Sequence, residues 1–274
     1  MSSVREWTFS LEIEIVEAFC AELIGTALLI VLGNGVVANV VLKETKGHDS
    51  GWIVICAGWG FAVFVAVACV GDISGAHLNP AVTIGLAAAG LFEWGHVPGF
   101  VVAQMTGALV GASLVFLFYR PHYSVTDDAD AKLATFCTAP AIRNLPTCVL
   151  CEILATAVLV LAVLMHVPAR IFTVDGLQAV DKIGLGSIGA IEIGLVVFAI
   201  GLSLGGTTGY AINPARDLGP RIAHAILPIP GKRDSDWSYS AIPVVGPVLG
   251  ALLAVGVAWL LGLDVSGPDS ASGG

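Results

Sequence analysis

The triplet Asn79-Pro80-Ala81 occurs again as Asn213-Pro214-Ala215, each copy within a strongly apolar half of the chain. Asn is a favoured N-cap and Pro a favoured first helical residue, so each triplet predicts the start of a helix. The Asn side-chain oxygen then accepts N–H groups of the first turn, and its amide NH₂ is left as a neutral donor at the positive end of the helix dipole. One copy would be an ordinary helix start. Two matched copies in a membrane chain indicate a pore with two donors at its midpoint.

The composition places the chain in a membrane. Of its 274 residues, 56% are apolar and 12% are charged, against about 25% charged in globular proteins. Several stretches of 18 or more residues carry almost no charge, enough to cross a hydrocarbon core of about 30 Å. The segment from Ile53 to Val70 is apolar on every side, unlike the helices of a soluble bundle. We therefore expect a polytopic protein of the lipid bilayer, and the net charge of −9 argues against a nucleic-acid partner.

Two kinds of apolar segment follow one another along the chain. Residues 74–90 and 205–227 are too short to cross a membrane, and each carries one Asn-Pro-Ala triplet. The full spans are predicted at residues 17–42, 52–70, 98–119, 147–166, 187–204 and 241–262. The sequence therefore predicts an all-α membrane protein with six transmembrane helices and two re-entrant half-helices.

The two halves of the chain correspond to each other. Glu22 in the first span matches Glu152 in the fourth, and the Gly-x-x-x-Gly pair at 107–111 matches the pair at 246–250. The offsets between the glutamates, the triplets and the glycines are 130, 134 and 139 residues, as expected after a duplication. Because each half holds an odd number of spans, the halves must lie in opposite orientations, which is an inverted repeat.

This inversion predicts where the half-helices meet. Each is about 15 Å long, half of the membrane core, so the two N-termini should meet at the midplane. Irregular backbone at that depth is tolerated only inside protein or along a water-filled path, and on such a path its carbonyls would form a row of acceptors. The residues predicted to supply these carbonyls are Gly75, Ala76, His77, Leu78, Gly209, Tyr210, Ala211 and Ile212.

The same pattern divides the chain into five parts. Residues 1–16 form an N-terminal segment without the features of a cleavable signal peptide. Residues 17–119 and 147–262 are the two half-repeats, each with three spans and one half-helix. Residues 120–146 connect them as a loop, and residues 263–274 are predicted to be a disordered tail.

Over about residues 17–262 the sequence resembles the aquaporin, or major intrinsic protein, family. The resemblance is carried by residues 74–82, by residues 209–216, by the two glutamates and by the span pattern. It implies six spans with two half-helices, one pore in each protomer and a homotetramer. It also implies a plasma-membrane location with both termini in the cytoplasm.

In that family the narrowest point of the pore is formed by four residues, and the matching positions here are Trp59, Gly201, Tyr210 and Arg216. Water-selective members typically have Phe at the first position and His at the second. Gly in place of His is expected to widen the constriction and to remove a polar wall. With Asp217, Arg221 and the pair Pro243-Val244, the pattern is similar to the glycerol-conducting branch.

The constriction would suit a polyol. Trp59 and Tyr210 would form an apolar corner for its C–H face, while Arg216, the carbonyls and the two Asn amides bind its hydroxyl groups. The expected function is therefore a passive channel for glycerol and other small neutral solutes, which also passes water. Neither a cofactor nor a metal ion is expected, and no nucleophile–base set points to an enzyme.

Glu22 and Glu152 are carboxylates within predicted spans, so a functional role must be considered first. A proton relay would need a chain of titratable partners, which the sequence does not show. The alternative is that each carboxylate accepts N–H groups from the irregular loop of its own half. We assign Glu22, Glu152 and Asp217 to support of these loops.

Three other functions stay open at the level of sequence. A water-selective channel is the nearest, and Gly201 argues against it. A coupled secondary transporter could share the inverted repeat but would need an ion site along the path. A structural membrane protein with a vestigial pore would not need the full constellation.

The charge bias runs against the orientation that the resemblance implies. With cytoplasmic termini, the inner side holds three basic residues, Arg5, Arg170 and Lys182. The outer side holds seven: Lys43, Lys46, Arg120, Lys132, Arg143, Lys232 and Arg233. The usual excess of Lys and Arg lies on the cytoplasmic side.

Overall fold

The computed structural model describes the backbone of residues 2–166, 170–172, 179–182 and 186–262, and the side chains of residues 14–166 and 188–262. The tail predicted at residues 263–274 lies outside these ranges. The helices are α1 (Ser2–Val41), α2 (Trp52–Ser74), α3 (Pro80–Ala88), α4 (Val97–Phe118), α5 (Arg120–Val125), α6 (Ala129–Ala134), α7 (Leu145–Leu164), α8 (Ile191–Ser203), α9 (Pro214–Ile226) and α10 (Ile242–Leu260). Two 3-10 turns, Trp94–His96 and Gly186–Ala190, precede α4 and α8.

Among the described residues, five helices are long and apolar enough to cross a membrane: Glu14–Val41 within α1, α2, Trp94–Phe118 including α4, α7 and α10. The sixth predicted span is the shorter apolar helix Ile188–Ser203, which includes α8. With α3 and α9 as the two half-helices, the predicted all-α fold with six spans is confirmed.

Two connections contain structure that the sequence did not predict. The strands β1 (Arg170–Phe172) and β2 (Ala179–Lys182) pair antiparallel between α7 and α8, with Arg170 opposite Lys182. The loop predicted at residues 120–146 contains α5 and α6. Asp128 caps the start of α6, because its carboxylate accepts the N–H groups of Asp130 and Ala131. Apolar spans alone do not reveal such a cap.

The inverted repeat is visible in how the helices pack. In each half the leading span lies against the last one, α1 against α4 and α7 against α10. The half-helices cross between the halves, since α3 packs on α10 and α9 packs on α4. The helices α2 and α8 meet at Gly60 and Gly194. A Cβ on Gly60 would lie 2.8 Å from the carbonyl oxygen of Gly194, and a Cβ on Gly194 would lie 2.6 Å from that of Gly60. These two positions are related by the same 134-residue offset as the Asn-Pro-Ala triplets.

The Gly-x-x-x-Gly pairs form the seams between leading and last spans. A Cβ on Gly107 would overlap the carbonyl oxygen of Leu23, and a Cβ on Gly250 would overlap that of Ile153. In both seams the absent side chain lets two helix backbones approach closely, which is how small residues serve helix packing in lipid. The prediction of seams inside the protomer is confirmed.

Each half-helix begins at its Asn, as the capping chemistry predicts. The side-chain oxygen of Asn79 accepts the N–H of Ala81 at 2.9 Å, and that of Asn213 accepts the N–H groups of Ala215 and Arg216 at 2.9 and 3.2 Å. The half-helices differ in length, because α3 has 9 residues and α9 has 13.

Candidate functional site

A cavity of about 340 Å³ runs through the centre of the molecule and passes both Asn caps. Three of the four predicted constriction residues line it, namely Trp59, Tyr210 and Arg216, together with Asn79 and Asn213. The residues predicted to present carbonyl acceptors that line it are Gly75, Ala76, His77, Leu78, Tyr210, Ala211 and Ile212. The predicted site residues outside the described lining are Gly201, Gly209, the Pro and Ala residues of the triplets, and the loop-support residues Glu22, Glu152 and Asp217.

The loops before the two half-helices have the same unusual backbone. Positive φ angles occur in the first loop at Gly75 (79°), Ala76 (48°) and Leu78 (52°). In the second they occur at Gly209 (81°), Tyr210 (38°) and Ile212 (45°), again at the 134-residue offset. Such angles at residues with a side chain cost about 1–3 kcal/mol each and persist only where the surroundings enforce them. The two loops are therefore held in one matched conformation by their neighbours.

Glu22 is one of these neighbours in the first half. Its carboxylate accepts the N–H of His77 at 2.9 Å and the N–H of Leu78 at 2.8 Å. It also accepts the hydroxyl of Ser74 at 2.7 Å and the side-chain amide of Gln104 at 2.7 Å. A fully buried carboxylate with four donors is satisfied by hydrogen bonds, and its partners belong to the end of α2, to the loop and to α4.

Glu152 has the corresponding backbone and hydroxyl contacts in the second half, without a counterpart of the Gln104 amide. It accepts the N–H of Ala211 at 3.0 Å, the N–H of Ile212 at 2.9 Å and the hydroxyl of Thr208 at 2.7 Å. Like Glu22, it is fully buried. The two residues that each glutamate binds through the backbone immediately precede the Asn cap.

The Asn amides differ from the prediction that they are free. Asn79 donates through Nδ2 to the carbonyl of Ile212, and Asn213 donates to the carbonyl of Leu78, both at 2.8 Å. These two carbonyls were predicted to serve the pore. Because an amide nitrogen carries two hydrogens, one N–H of each Asn is left to face the cavity. The exchange ties the two half-repeats together where the N-termini of α3 and α9 meet.

At one end of the cavity the Arg216 guanidinium lies over the Trp59 ring, with its carbon 4.1 Å from the ring centroid. Three donors here have no hydrogen-bond partner among the described residues: Arg216 Nη1, Trp59 Nε1 and the Tyr210 hydroxyl. All three residues are nearly fully buried. Buried donors are normally paired, so a bound polar group would satisfy them.

Gly201 does not widen this end in the way that its small size predicts. A Cβ on Gly201 would lie 3.0 Å from Tyr210 Cζ and 3.0 Å from Cys56 Sγ. The space beside Gly201 is therefore filled by the Tyr210 ring, which itself lines the cavity. The ring lies against Gly201 and Gly205 at the end of α8, a contact that sequence spacing does not reveal. Gly201 therefore contributes to the shape of the cavity indirectly, because it leaves room for the Tyr210 ring that lines it.

Asp217 connects α9 to the loops around the constriction. Its carboxylate accepts the N–H of Thr138 at 2.7 Å and forms a buried ion pair with Arg221 at 2.8 Å. Arg221 in turn donates to the carbonyls of Thr138 and Ser235. The pair therefore holds the residue 120–146 connection and the loop after α9 against the half-helix.

A wide vestibule of about 1050 Å³ lies beyond the constriction. Its walls carry the ion pairs Arg143–Asp236 and Arg233–Asp130. The bond to Asp130 raises the pKa of Arg233 further above its usual range, so this guanidinium stays charged at neutral pH. At the opposite end of the cavity, His166 lines the wall and pairs with Glu192 at 2.7 Å.

Several residues that build the site were not singled out from the sequence: Trp52, Cys56, Thr83, Gln104, Thr138 and Gly205. For Gln104 a signal existed, because it is a polar residue inside an apolar span. Thr138 has no such signal, since only the folded chain brings it to Asp217.

Within the described ranges, no group of three or more His, Cys, Asp or Glu residues could hold a metal ion.

The chain is similar to known proteins over most of its length. A sequence model described as "Major intrinsic protein" matches residues 10–258. A probable glycerol uptake facilitator protein of Thermotoga maritima is 59% identical, over 86% of this chain and 95% of that protein. A glycerol uptake facilitator protein of Streptococcus pneumoniae is 54% identical, over 85% of this chain and 94% of that one.

Among solved structures, the aquaglyceroporin from Plasmodium falciparum matches with a TM-score of 0.74 and 32% identity, over 89% of this chain and 95% of that one. The predicted family is therefore confirmed. The chain is an integral membrane protein that belongs to the Major intrinsic protein family.

Proposed function

We propose that this protein is a passive channel through which glycerol, other small neutral solutes and water cross the membrane. The observation that carries the proposal is the constriction, where Arg216 Nη1 and Trp59 Nε1 are unpaired beside the apolar faces of Trp59 and Tyr210. A polyol has C–H groups on one side and hydroxyls on the other, so it can satisfy both kinds of surface at once. Two of the relatives are named as glycerol uptake facilitators, one of them as probable, which supports the same substrate.

The rest of the cavity supports a path for neutral hydrogen-bonding solutes. Loop carbonyls act as acceptors along its wall, and one N–H of Asn79 and one of Asn213 act as donors where the half-helices meet. Each solute hydroxyl can therefore exchange partners step by step without leaving a buried polar group unpaired. The described wall offers no carboxylate between the two Asn caps and Arg216, which argues against a coupled cation site there.

The test is solute flux without an energy source. Purified protein in proteoliposomes is mixed with glycerol in a stopped-flow light-scattering instrument, with proton and sodium gradients collapsed by ionophores. We expect glycerol flux well above that of empty liposomes and unchanged by the ionophores. Flux that disappears when the gradients are collapsed would instead identify a coupled transporter, and water flux without glycerol flux would identify a water-selective channel.

We further propose a homotetramer in the plasma membrane, with one pore in each protomer and both termini in the cytoplasm. In this orientation the vestibule opens outward and the His166–Glu192 end opens to the cytoplasm.

We also propose that Glu22, Glu152 and Asp217 support the loops, and that the chain divides into the five predicted parts. Protease accessibility of N- and C-terminal tags in sealed right-side-out vesicles tests the orientation, and cross-linking in detergent tests the tetramer.

A further inference from the structure

The Tyr210 ring lies in a slot formed by two glycines at the end of α8. Gly201 lies in the last turn of α8, Gly205 lies two residues beyond its end, and both face the ring. A Cβ on Gly201 would lie 3.0 Å from Tyr210 Cζ and 3.1 Å from its hydroxyl oxygen. A Cβ on Gly205 would overlap Tyr210 Cδ1 and would lie 2.7 Å from the carbonyl oxygen of Gly201. Tyr210 lines the cavity and neither glycine belongs to the described lining, so the ring separates the slot from the cavity.

Trp52 closes the slot on the vestibule side. Its ring meets the Tyr210 ring edge to face, with centroids 5.9 Å apart and an interplanar angle of 80°. Trp52 Nε1 donates to the carbonyl of Gly201 at 3.0 Å. That carbonyl belongs to the last turn of α8, where helical partners run out. Trp52 therefore fixes both the backbone of the slot and the ring inside it, while its own side chain lies on the vestibule wall.

The Tyr210 hydroxyl holds the ring only weakly. Tyr210 is only 3% exposed, and among the described residues its hydroxyl meets the thiol of Cys56, which is a weak hydrogen-bond donor and acceptor. The position of the ring thus depends on the shape of the slot and on the Trp52 contact. A small change in either would move one wall of the constriction directly.

We propose that Trp52 and Gly205 are positioning residues that set the solute selectivity of the channel by holding the Tyr210 ring. The inference rests on the proposed function and names how that site discriminates among neutral polyols. Loss of Trp52 lets the ring move toward the vestibule and admits bulkier polyols. A side chain at Gly205 pushes the ring into the path and excludes them.

The measurement is a ratio of permeabilities in proteoliposomes, xylitol relative to glycerol, which does not depend on how much protein is reconstituted. Trp52→Ala is expected to raise this ratio at least about twofold, the lower end of what one aromatic edge contact contributes. Trp52→Phe keeps an aromatic edge against Tyr210 and should restore most of the wild-type ratio. Gly205→Ala is expected to lower the ratio and to spare water more than glycerol.

Two matched variants serve as controls. Trp237 is a similarly exposed Trp on the same side, 49% exposed against 41% for Trp52, and it belongs to neither cavity wall as described. Gly206 is next to Gly205, and a Cβ there would meet no described atom within 4 Å. Trp237→Ala and Gly206→Ala should both keep the wild-type ratio.

A double-mutant cycle separates positioning from a general structural role. If Trp52 acts through Tyr210, Trp52→Ala should have no further effect on the ratio in a Tyr210→Ala background. An unchanged or lowered ratio in Trp52→Ala, or an equal rise in the Tyr210→Ala background, would overturn the inference. Absence of glycerol flux in the wild type would instead contradict the proposed function, so the two failures are distinguishable.

Discussion

At the scale of single residues, the two buried glutamates show what an intramembrane carboxylate can do without moving a proton. Glu22 and Glu152 each bind two consecutive backbone N–H groups before an Asn cap. Those N–H groups belong to backbone that forms neither helix nor strand and has no other described acceptor. The carboxylates therefore satisfy donors that the positive φ angles leave unpaired.

We expect Glu152→Gln to be milder than Glu152→Ala. The amide keeps one carbonyl acceptor, whereas truncation leaves three donors unpaired at about 1–3 kcal/mol each. Thermal and denaturant unfolding in detergent measure the difference, with the exposed Glu17→Ala as a control expected to change stability by less than about 0.5 kcal/mol. Equal loss in both Glu152 variants would favour a role for the charge itself.

We expect Gly201→His alone to damage folding. The imidazole would have to occupy space that the Tyr210 ring and Cys56 already fill, and overpacking of this kind costs about 1–3 kcal/mol. In Gly201→His/Tyr210→Ala the ring is gone, so folded yield and water flux should recover while glycerol flux stays low. Unfolding temperature and stopped-flow flux of both variants provide the test. Wild-type stability in Gly201→His alone would show that the Tyr210 ring moves freely.

Only part of the constriction could be predicted from the sequence. The positions of Trp59, Tyr210 and Arg216 on one cavity could be predicted, because the resemblance to the family implies them. The role of Gly201 could not, because it depends on a contact with the Tyr210 ring that sequence spacing does not reveal. The contact of Trp52 with that ring likewise depends on how α2 and α8 cross.

At the scale of elements, the spans and half-helices could be predicted closely because lipid imposes both length and composition. The small elements could not. The helices α5 and α6 and the strands β1 and β2 lie in connections, where no apolar periodicity marks them. The residue 120–146 connection still matters for the site, since Thr138 reaches Asp217 from it.

The seams between helices give a prediction with an internal control. In Gly107→Ala the new Cβ would overlap the backbone of α1 at Leu23, and backbone cannot rotate away. We expect a loss of about 1–3 kcal/mol. Gly99 is on the same helix α4, and a Cβ there would meet no described atom within 4 Å. Gly99→Ala should therefore be neutral or stabilising by up to about 1 kcal/mol, because Ala is the better helix former.

Unfolding in mixed detergent with increasing dodecyl sulfate compares the two variants directly. A result in which Gly107→Ala and Gly99→Ala both keep wild-type stability would mean that the α1–α4 seam can separate at no cost. Equal loss in both would point to a need for glycine itself rather than to close approach.

At the scale of the whole molecule, the inverted repeat brings two positive helix ends together. The N-termini of α3 and α9 meet where Asn79 and Asn213 exchange hydrogen bonds, and Arg216 adds a full charge in the first turn of α9. Each helix end is equivalent to roughly half an elementary positive charge. A cation entering the cavity thus meets repulsion from three sources, all of them fixed by the fold.

We therefore expect wild-type protein to exclude ions, protons included. A water held by the remaining N–H of each Asn has its oxygen lone pairs occupied, so it cannot accept a proton from its neighbours, and the proton wire is broken. Arg216→Val removes the full charge and should admit some protons. The double variant Arg216→Val/Asn213→Asp should also admit cations. A carboxylate then replaces an amide donor, and it cannot donate the hydrogen bond that Asn213 gives to the Leu78 carbonyl.

A pH-jump assay and a potential-sensitive dye in proteoliposomes measure these currents, with glycerol flux as the check that each variant still forms an open path. The charge-conserving variant Arg216→Lys serves as the matched control and should admit fewer protons than Arg216→Val. Should wild type carry protons as fast as the variants, the helix ends and Arg216 would not be the barrier. Exclusion of ions larger than a proton would then have to arise from the width of the constriction, which the Tyr210 slot controls.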